Sequence, residues 1–245
     1  MSKKVEEKKQ YDLIYGPHAI IEMLKAKKRR LMSIYTTKPL TKAWDRIKKY
    51  APTSIPNIQY VTKDVLTRMA GTDEHSGVIA LVSPFKFVSK VFSPKEKPFI
   101  LLLDSVQDVR NLGAILRSAY CTGITGIVLC KKGGATLTPA VYKISAGLIE
   151  HLDIYIAASM SEAIFDIKRA GYNLYMAVLD NGKNALEVEY KKPVCLVIGN
   201  EEVGISKESQ KHGELITLPQ VRPDVSFNAS VAAGILMFNL FHKMK

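Results

Sequence analysis

The sequence predicts an α/β protein: a small N-terminal α/β sandwich followed by a larger α/β domain on a mostly parallel sheet. Three observations carry this. From Phe99 onward come five short, continuously apolar runs, FILLL, GIVLC, LYMAVL, PVCLVIG and ELITL, most of them separated by helical stretches. Continuous rather than alternating apolarity marks strands buried on both faces, hence parallel strands with helices on each side. Ahead of them the stretch SPFKFVSKVFSPKEKP, 83–98, holds three prolines and four lysines. Proline is kept out of helix interiors and central strands, so this is a natural boundary. The charge divides at the same place. The 245 residues carry a formal net charge of +12, but residues 1–98 hold 20 Lys or Arg against 9 Asp or Glu, a net of +11. The expected organisation is a disordered tail at 1–11, a first domain at 12–83, a linker at 84–98 and a second domain at 99–245.

The first domain reads as short alternating elements. Pro17 starts a helix in which Ile20, Ile21 and Leu24 recur at helical spacing. Leu31 to Tyr35 reads as a strand, Thr41 to Tyr50 as a helix and Asn57 to Val61 as a strand. Thr62 to Ala70 reads as a helix and Gly77 to Val82 as a strand. This is a compact α/β sandwich. Lys25, Lys27, Lys28, Arg29 and Arg30 crowd its first helix–strand loop. A local cationic excess of this kind marks a polyanion-binding module joined to a nearly neutral one.

Composition excludes several classes. With 47% hydrophobic residues the chain has enough apolar material to fold. Its longest apolar stretch, Val231 to Phe241, is interrupted by Asn239 and falls short of the ~20 residues a bilayer requires. The start, MSKKVEEKKQ, lacks the apolar core of a signal peptide. Cys121, Cys130 and Cys195 are odd in number and have no metal-type spacing, which fits a reducing, cytoplasmic setting without disulfides or metal. No G-x-G-x-x-G follows a strand and no Walker A loop is present. The scattered histidines His18, His75, His151, His212 and His242 read as surface or packing residues.

In parallel sheets ligands bind beyond the carboxyl ends of the strands. Three segments at such positions carry chemistry. After FILLLD comes SVQDVRNLGAILR, a polar turn into a helix holding Asn111 and Arg117. Asn111 lies near the helix N-terminus, which favours an anionic group, and an arginine can hold a phosphate in bidentate fashion. After PVCLVIG comes NEEVGIS, with Gly199 and Gly204 bracketing a tight loop and Ser206 placed to cap a helix. After ELITLPQ comes VRPDVSFNASVAAG, a Ser-x-Asn-x-Ser leading into a helix rich in small residues.

Together, in this order, the three segments resemble the motifs of the SpoU (TrmH-type) RNA ribose methyltransferases of the SPOUT superfamily. Asn111, Gly113 and Arg117 match Asn-x-Gly-x-x-x-Arg. Gly199, Asn200, Glu201, Gly204, Ile205 and Ser206 match the second motif. Pro219, Ser226, Asn228, Ser230, Val231 and Ala232 match the third. The basic N-terminal sandwich resembles the L30e-like substrate-binding domain of many members, with Tyr15-Gly16 and His75-Ser76-Gly77 as familiar landmarks. The likeness spans residues 12–243 and is greatest to bacterial 23S rRNA guanosine-2′-O-methyltransferases. It departs from the family at Glu202 for Gly, Gln220 for Met, Phe227 for Leu, and at Arg222 and Pro223.

The resemblance implies a SPOUT-type knotted C-terminal domain, its trefoil knot shaping a pocket for S-adenosylmethionine, and a homodimer formed through that domain. It implies transfer of a methyl group to a ribose 2′-hydroxyl of RNA, a 23S rRNA guanosine being the favoured target. A tRNA, a resistance-type rRNA target and a non-catalytic RNA-binding role on the same scaffold stay open. The implied cofactor contacts are Gly199, Asn200, Glu201, Leu218, Pro219, Gln220, Phe227 and Ala229. Asn111, Arg117, Ser226 and Asn228 are the implied catalytic residues. A guanidinium is always protonated, so Arg117 suits phosphate orientation and oxyanion stabilisation better than proton abstraction. Lys25, Lys27, Lys28, Arg29, Arg30, Lys48 and Lys49 are the expected RNA contacts.

Overall fold

A computed structural model describes residues 11–53, 57–222 and 225–244. The expected tail, apart from Tyr11, and the departure at Pro223 lie outside them. The chain divides into two compact units between Lys86 and Phe87.

The first unit runs β1 (Asp12–Tyr15), α1 (Pro17–Ala26), β2 (Leu31–Thr36), α2 (Lys42–Lys48), β3 (Ile58–Tyr60), α3 (Lys63–Ala70) and β4 (Val78–Val82). Its four-stranded sheet has the order β1-β4-β2-β3. β4 is antiparallel to both β1 and β2, whereas β2 and β3 run parallel. Pro17 opens α1 directly after Gly16, where a proline costs no hydrogen bond. The helix buries Ala19, Ile20, Ile21 and Met23, and α2 buries Trp44 and Ile47. On the other side Leu66 packs with Tyr15 and Ile79. The strand β1 has no counterpart in the sequence reading, because four residues of mixed polarity are too few to show a period.

One expected RNA contact is corrected here. The Arg29 side chain is 1% exposed and donates to Asp12 Oδ2 at 2.6 Å. Its Nε also donates to the Ser83 carbonyl at 2.7 Å. A buried guanidinium committed to the half-buried Asp12 carboxylate ties the start of β1 to the chain leaving β4 and is not offered to RNA. Lys25, Lys27, Lys28, Arg30, Lys48 and Lys49 are exposed. Lys25 lies over the Tyr50 ring at 4.9 Å, so the ends of α1 and α2 share one basic corner.

The second unit runs β5 (Phe99–Leu103), α4 (Val109–Cys121), β6 (Gly126–Cys130), α5 (Pro139–Ile144), a 3-10 turn (Leu148–His151), β7 (Asp153–Ala157) and α6 (Met160–Arg169). It continues with β8 (Asn173–Ala177), β9 (Lys183–Asn184), β10 (Val194–Ile198), α7 (Lys207–Gln210), β11 (Glu214–Thr217) and α8 (Ala229–Lys243). The seven strands form a parallel sheet in the order β7-β6-β5-β10-β8-β11-β9. Strands made late lie between strands made early: β10 between β5 and β8, β11 between β8 and β9. The five apolar runs of the sequence are β5, β6, β8, β10 and β11. The strand β7, DIYIA, mixes polar and apolar residues at the sheet edge, and β9 is two residues long. Neither leaves a continuous apolar run.

The stretch expected as linker at 84–98 is largely part of this second unit. Val88 N–H donates to the Ile154 carbonyl at 2.9 Å and extends the sheet past β7. Phe92 is buried in the core with Tyr155, and Lys97 pairs with Asp153 at 2.9 Å. Proline bars regular structure but not burial, and this segment covers an edge strand that would otherwise expose unpaired amides.

Candidate active site

The loop after β10 is a closed hairpin. Gly204 N–H donates to the Asn200 carbonyl at 3.0 Å, and Asn200 N–H donates back at 3.3 Å. The Asn200 Oδ1 accepts from the amides of Glu202 and Val203 at 2.9 and 3.1 Å. Its Nδ2 donates to the Ser105 carbonyl at 2.8 Å, fastening the loop after β10 to the loop after β5. Gly204 has a φ of 66°, a conformation glycine adopts freely. Gly199 is required for a different reason: a Cβ there would run into the backbone of Gly204 and Ile205. Glu202, which departs from the family pattern, does not have a left-handed φ, so a side chain is accommodated. Ser206 caps α7 by accepting from Ser209 N–H at 3.2 Å.

Glu201 couples the three motif segments. Its carboxylate accepts from the amides of Gln107 and Asp108 at 3.2 and 3.3 Å, and from Asn111 Nδ2 at 3.1 Å. Asn111 Oδ1 in turn accepts from Asn228 Nδ2 at 3.1 Å. The side-chain Oδ1 of Asn228 accepts from the Ser230 amide and hydroxyl at 2.9 and 2.6 Å, capping α8. Burial pushes the Glu201 carboxyl up, but the bonds from Asn111, Gln107 and Asp108 outweigh it, leaving the group below the usual carboxylate range. The two asparagines, both among the implied catalytic residues, therefore spend much of their bonding capacity on each other and on Glu201. Asn111 is 9% exposed, whereas Asn228 stands at the surface.

Beside this cluster lies a cavity of about 250 Å³. Gly199, Asn200, Glu201, Leu218, Gln220, Phe227, Ala229 and Ser226 line it, and Pro219 does not. Ile198, Ile216 and Leu236 supply an apolar wall, and Asp180 and Glu202 add carboxylates. Leu179, the last residue of the apolar run LYMAVL, and Asp180, which directly follows it, also line the cavity, and the strand-end rule applied there points to Asp180. An apolar slot with carboxylates at its edge suits an adenine joined to a cationic sulfonium and ammonium. The loop of Gly199 to Gly204 can hold S-adenosylmethionine through backbone groups, without a bulky side chain in the way.

Arg117 stands apart from this cluster. It is exposed on α4 and makes no hydrogen bond or ion pair among the described residues. Six residues of helix separate it from Asn111, which is about 9 Å of rise and a different helix face. Among the described residues no three His, Cys, Asp or Glu side chains are grouped so as to hold a metal ion, and no helix is long and apolar enough to cross a membrane.

Comparison with known proteins agrees with this geometry. Residues 98–238 match the SpoU rRNA Methylase family, and residues 13–88 match the RNA 2′-O ribose methyltransferase substrate binding family. The chain is 32% identical over 242 residues to YacO of Bacillus subtilis (strain 168), a protein assigned to the TrmH family of tRNA/rRNA methyltransferases, and 96% of each chain is covered. It is also 32% identical over 242 residues to an uncharacterized tRNA/rRNA methyltransferase of Synechocystis, covering 95% of this chain but 62% of that longer relative. A crystal structure of an RNA 2′-O ribose methyltransferase superposes with a TM-score of 0.83 at 23% identity, covering 96% of this chain and 89% of the other. An AdoMet-bound rRNA methyltransferase from Sinorhizobium meliloti gives 0.81 at 20%, covering 96% and 88%. These two structures show the shared fold. The chain belongs to the SpoU methylase family of S-adenosylmethionine-dependent RNA 2′-O-ribose methyltransferases.

Proposed function

We propose that this protein methylates the 2′-hydroxyl of a guanosine in 23S rRNA, in the cytoplasm, as a homodimer. The observation that carries the catalytic reading is the Glu201–Asn111–Asn228 chain, which draws all three motif segments together beside one cavity. When bound, S-adenosylmethionine supplies a methyl group on a positively charged sulfur. The protein's own part is alignment and shielding from water. Gly199, Asn200, Glu201, Leu218, Gln220, Phe227 and Ala229 form the cofactor wall, with Pro219 shaping the chain behind it. Ser226 faces the same cavity and holds the hydroxyl or the cofactor. Asn111 and Asn228 keep the mouth of the site in register. Arg117 orients the adjoining phosphate and stabilises charge developing on the 2′-oxygen.

The dimer reading is supported by α8. Val231, Ile235 and Phe238 recur at i, i+4 and i+7 and are 49%, 38% and 64% exposed. Such an apolar stripe suits a second copy. The helix packs against α4, which carries Arg117, so a partner seated there would lie near that guanidinium. Cytoplasmic residence is supported by three free cysteines.

The choice of rRNA rests on the basic first unit, which matches the substrate-binding family model. A tRNA target is the second reading. It is favoured by a solved A. aeolicus TrmH/SpoU tRNA modifying enzyme, 26% identical with a TM-score of 0.53 over 60% of this chain. The deciding experiment incubates the protein with labelled S-adenosylmethionine and unmodified total RNA, then maps the 2′-O-methyl group. Label confined to tRNA would displace the rRNA reading.

A further inference from the structure

The carboxyl ends of the parallel pair β2 and β3 open onto a cleft of about 790 Å³ within the first unit. That volume lies in the ~300–1,000 Å³ range of small-ligand sites. It is at the opposite end of these strands from the basic corner. Lys25 to Arg30 lead into the start of β2, and Lys48 and Lys49 end the helix that precedes β3.

Lys38, Tyr60 and Lys63 lie along the cleft. Tyr60, the last residue of β3, is 47% exposed, and Lys38 Nζ sits 4.3 Å from its ring centroid. Neither lysine is paired with a carboxylate among the described residues. Asp73 also lines the cleft, so its cations outnumber its anions two to one. Thr41 Oγ1 is buried in the wall and has no hydrogen-bond partner among the described residues. Gly77, with a φ of 77°, closes against it: a Cβ there would come within 2.8 Å of the Thr41 methyl. His75 is a wall rather than a ligand. Its Nδ1 accepts from Gly77 N–H at 3.0 Å, and its Nε2 is paired with the Thr67 hydroxyl at 3.1 Å.

An exposed aromatic ring beside unpaired cations is the combination that holds an unpaired base by stacking and its phosphates by charge. We propose that this cleft takes one unpaired nucleotide of the RNA substrate. Its base lies against Tyr60, its phosphates rest on Lys38 and Lys63, and a polar edge satisfies Thr41 Oγ1. The proposal rests on RNA being the substrate, and it adds a single-strand subsite distinct from the basic corner.

The test uses the full chain, a fluorescein-labelled ten-nucleotide oligouridylate and a blunt RNA duplex of the same length. Y60A weakens oligouridylate binding about tenfold or more, leaves duplex binding and cofactor affinity near wild type, and is rescued by Y60F. The double variant K38A/K63A lowers the slope of log affinity against log salt by about one to two. Wild-type oligouridylate affinity in Y60A would overturn the proposal, as would an unchanged salt slope in K38A/K63A or equal losses for single strand and duplex in Y60A. Methylation of rRNA by wild type together with unaffected Y60A binding would sink the cleft alone. A wild-type protein that methylates no RNA would remove the reading beneath it.

Discussion

Glu201 is the residue on which the site turns, and its protonation sets a pH limit. Its carboxyl titrates below the ordinary range because three donors face it. A depressed folded-state value means that its contribution to stability is complete above the unfolded value, ~4.3, and is lost as pH falls through the folded value. Glu201→Gln should therefore cost about 1–3 kcal/mol at neutral pH. The gap from wild type should close under acidic conditions in denaturant titrations run across pH. Arg117 differs, since among the described residues nothing is bonded to its side chain. Arg117→Ala should leave cofactor affinity and melting temperature unchanged while slowing methyl transfer about 100-fold or more. Calorimetric binding and single-turnover assays check the two halves. Arg29 shows the limit of reading charge from sequence. In the chain it is one of five adjacent or near-adjacent cations, and only the fold reveals that Asp12 claims it.

At the scale of elements, the strand–loop–helix corners line the cavity. Gly199→Ala adds one methyl group where the backbones of Gly204 and Ile205 already stand. The hairpin must open, and cofactor binding should fall by tenfold or more in calorimetry, with the far-ultraviolet spectrum unchanged. The helix α8 has two faces with different tasks. Ala233, Leu236, Met237 and Leu240 are buried, while Val231, Ile235 and Phe238 face outward. Phe238→Glu combined with Ile235→Glu should yield a monomer by light scattering without lowering the melting temperature. The five apolar strands were legible because a strand buried on both faces leaves no polar position in its sequence. The strands β1, β7 and β9 were not, because an edge or a two-residue bridge is defined by its neighbour rather than by its own pattern.

For the whole molecule, the division falls between Lys86 and Phe87 and not in the middle of the proline-rich stretch. A piece comprising 87–245 should keep cofactor affinity while losing most RNA affinity, measured as a drop in both binding and its salt slope. A shorter piece, 99–245, discards Phe92 and the Val88 contact with β7. Burial of one Phe side chain contributes ~1.5–3 kcal/mol, so the shorter piece should melt measurably below the longer one. The charge asymmetry keeps its meaning with one refinement. The Arg29–Asp12 pair already counts as zero in the +11 of residues 1–98, whereas Lys97 is neutralised by Asp153 from outside that range, which lowers the excess by one.

The sequence by itself determined the α/β class, the parallel core strands, the two modules and the three motif segments. These are properties of local composition and spacing, which folding does not alter. Tertiary structure decided the order of the strands, the docking of 87–98 on β7, and the use of Asn111 and Asn228 as each other's partners. Each of these depends on which distant residue arrives at a given side chain. Glu201 meets Asn111 across ninety residues, and Asn111 meets Asn228 across 117. Local periodicity holds no information about such encounters, because the closure of long loops is set by the packing of the whole sheet.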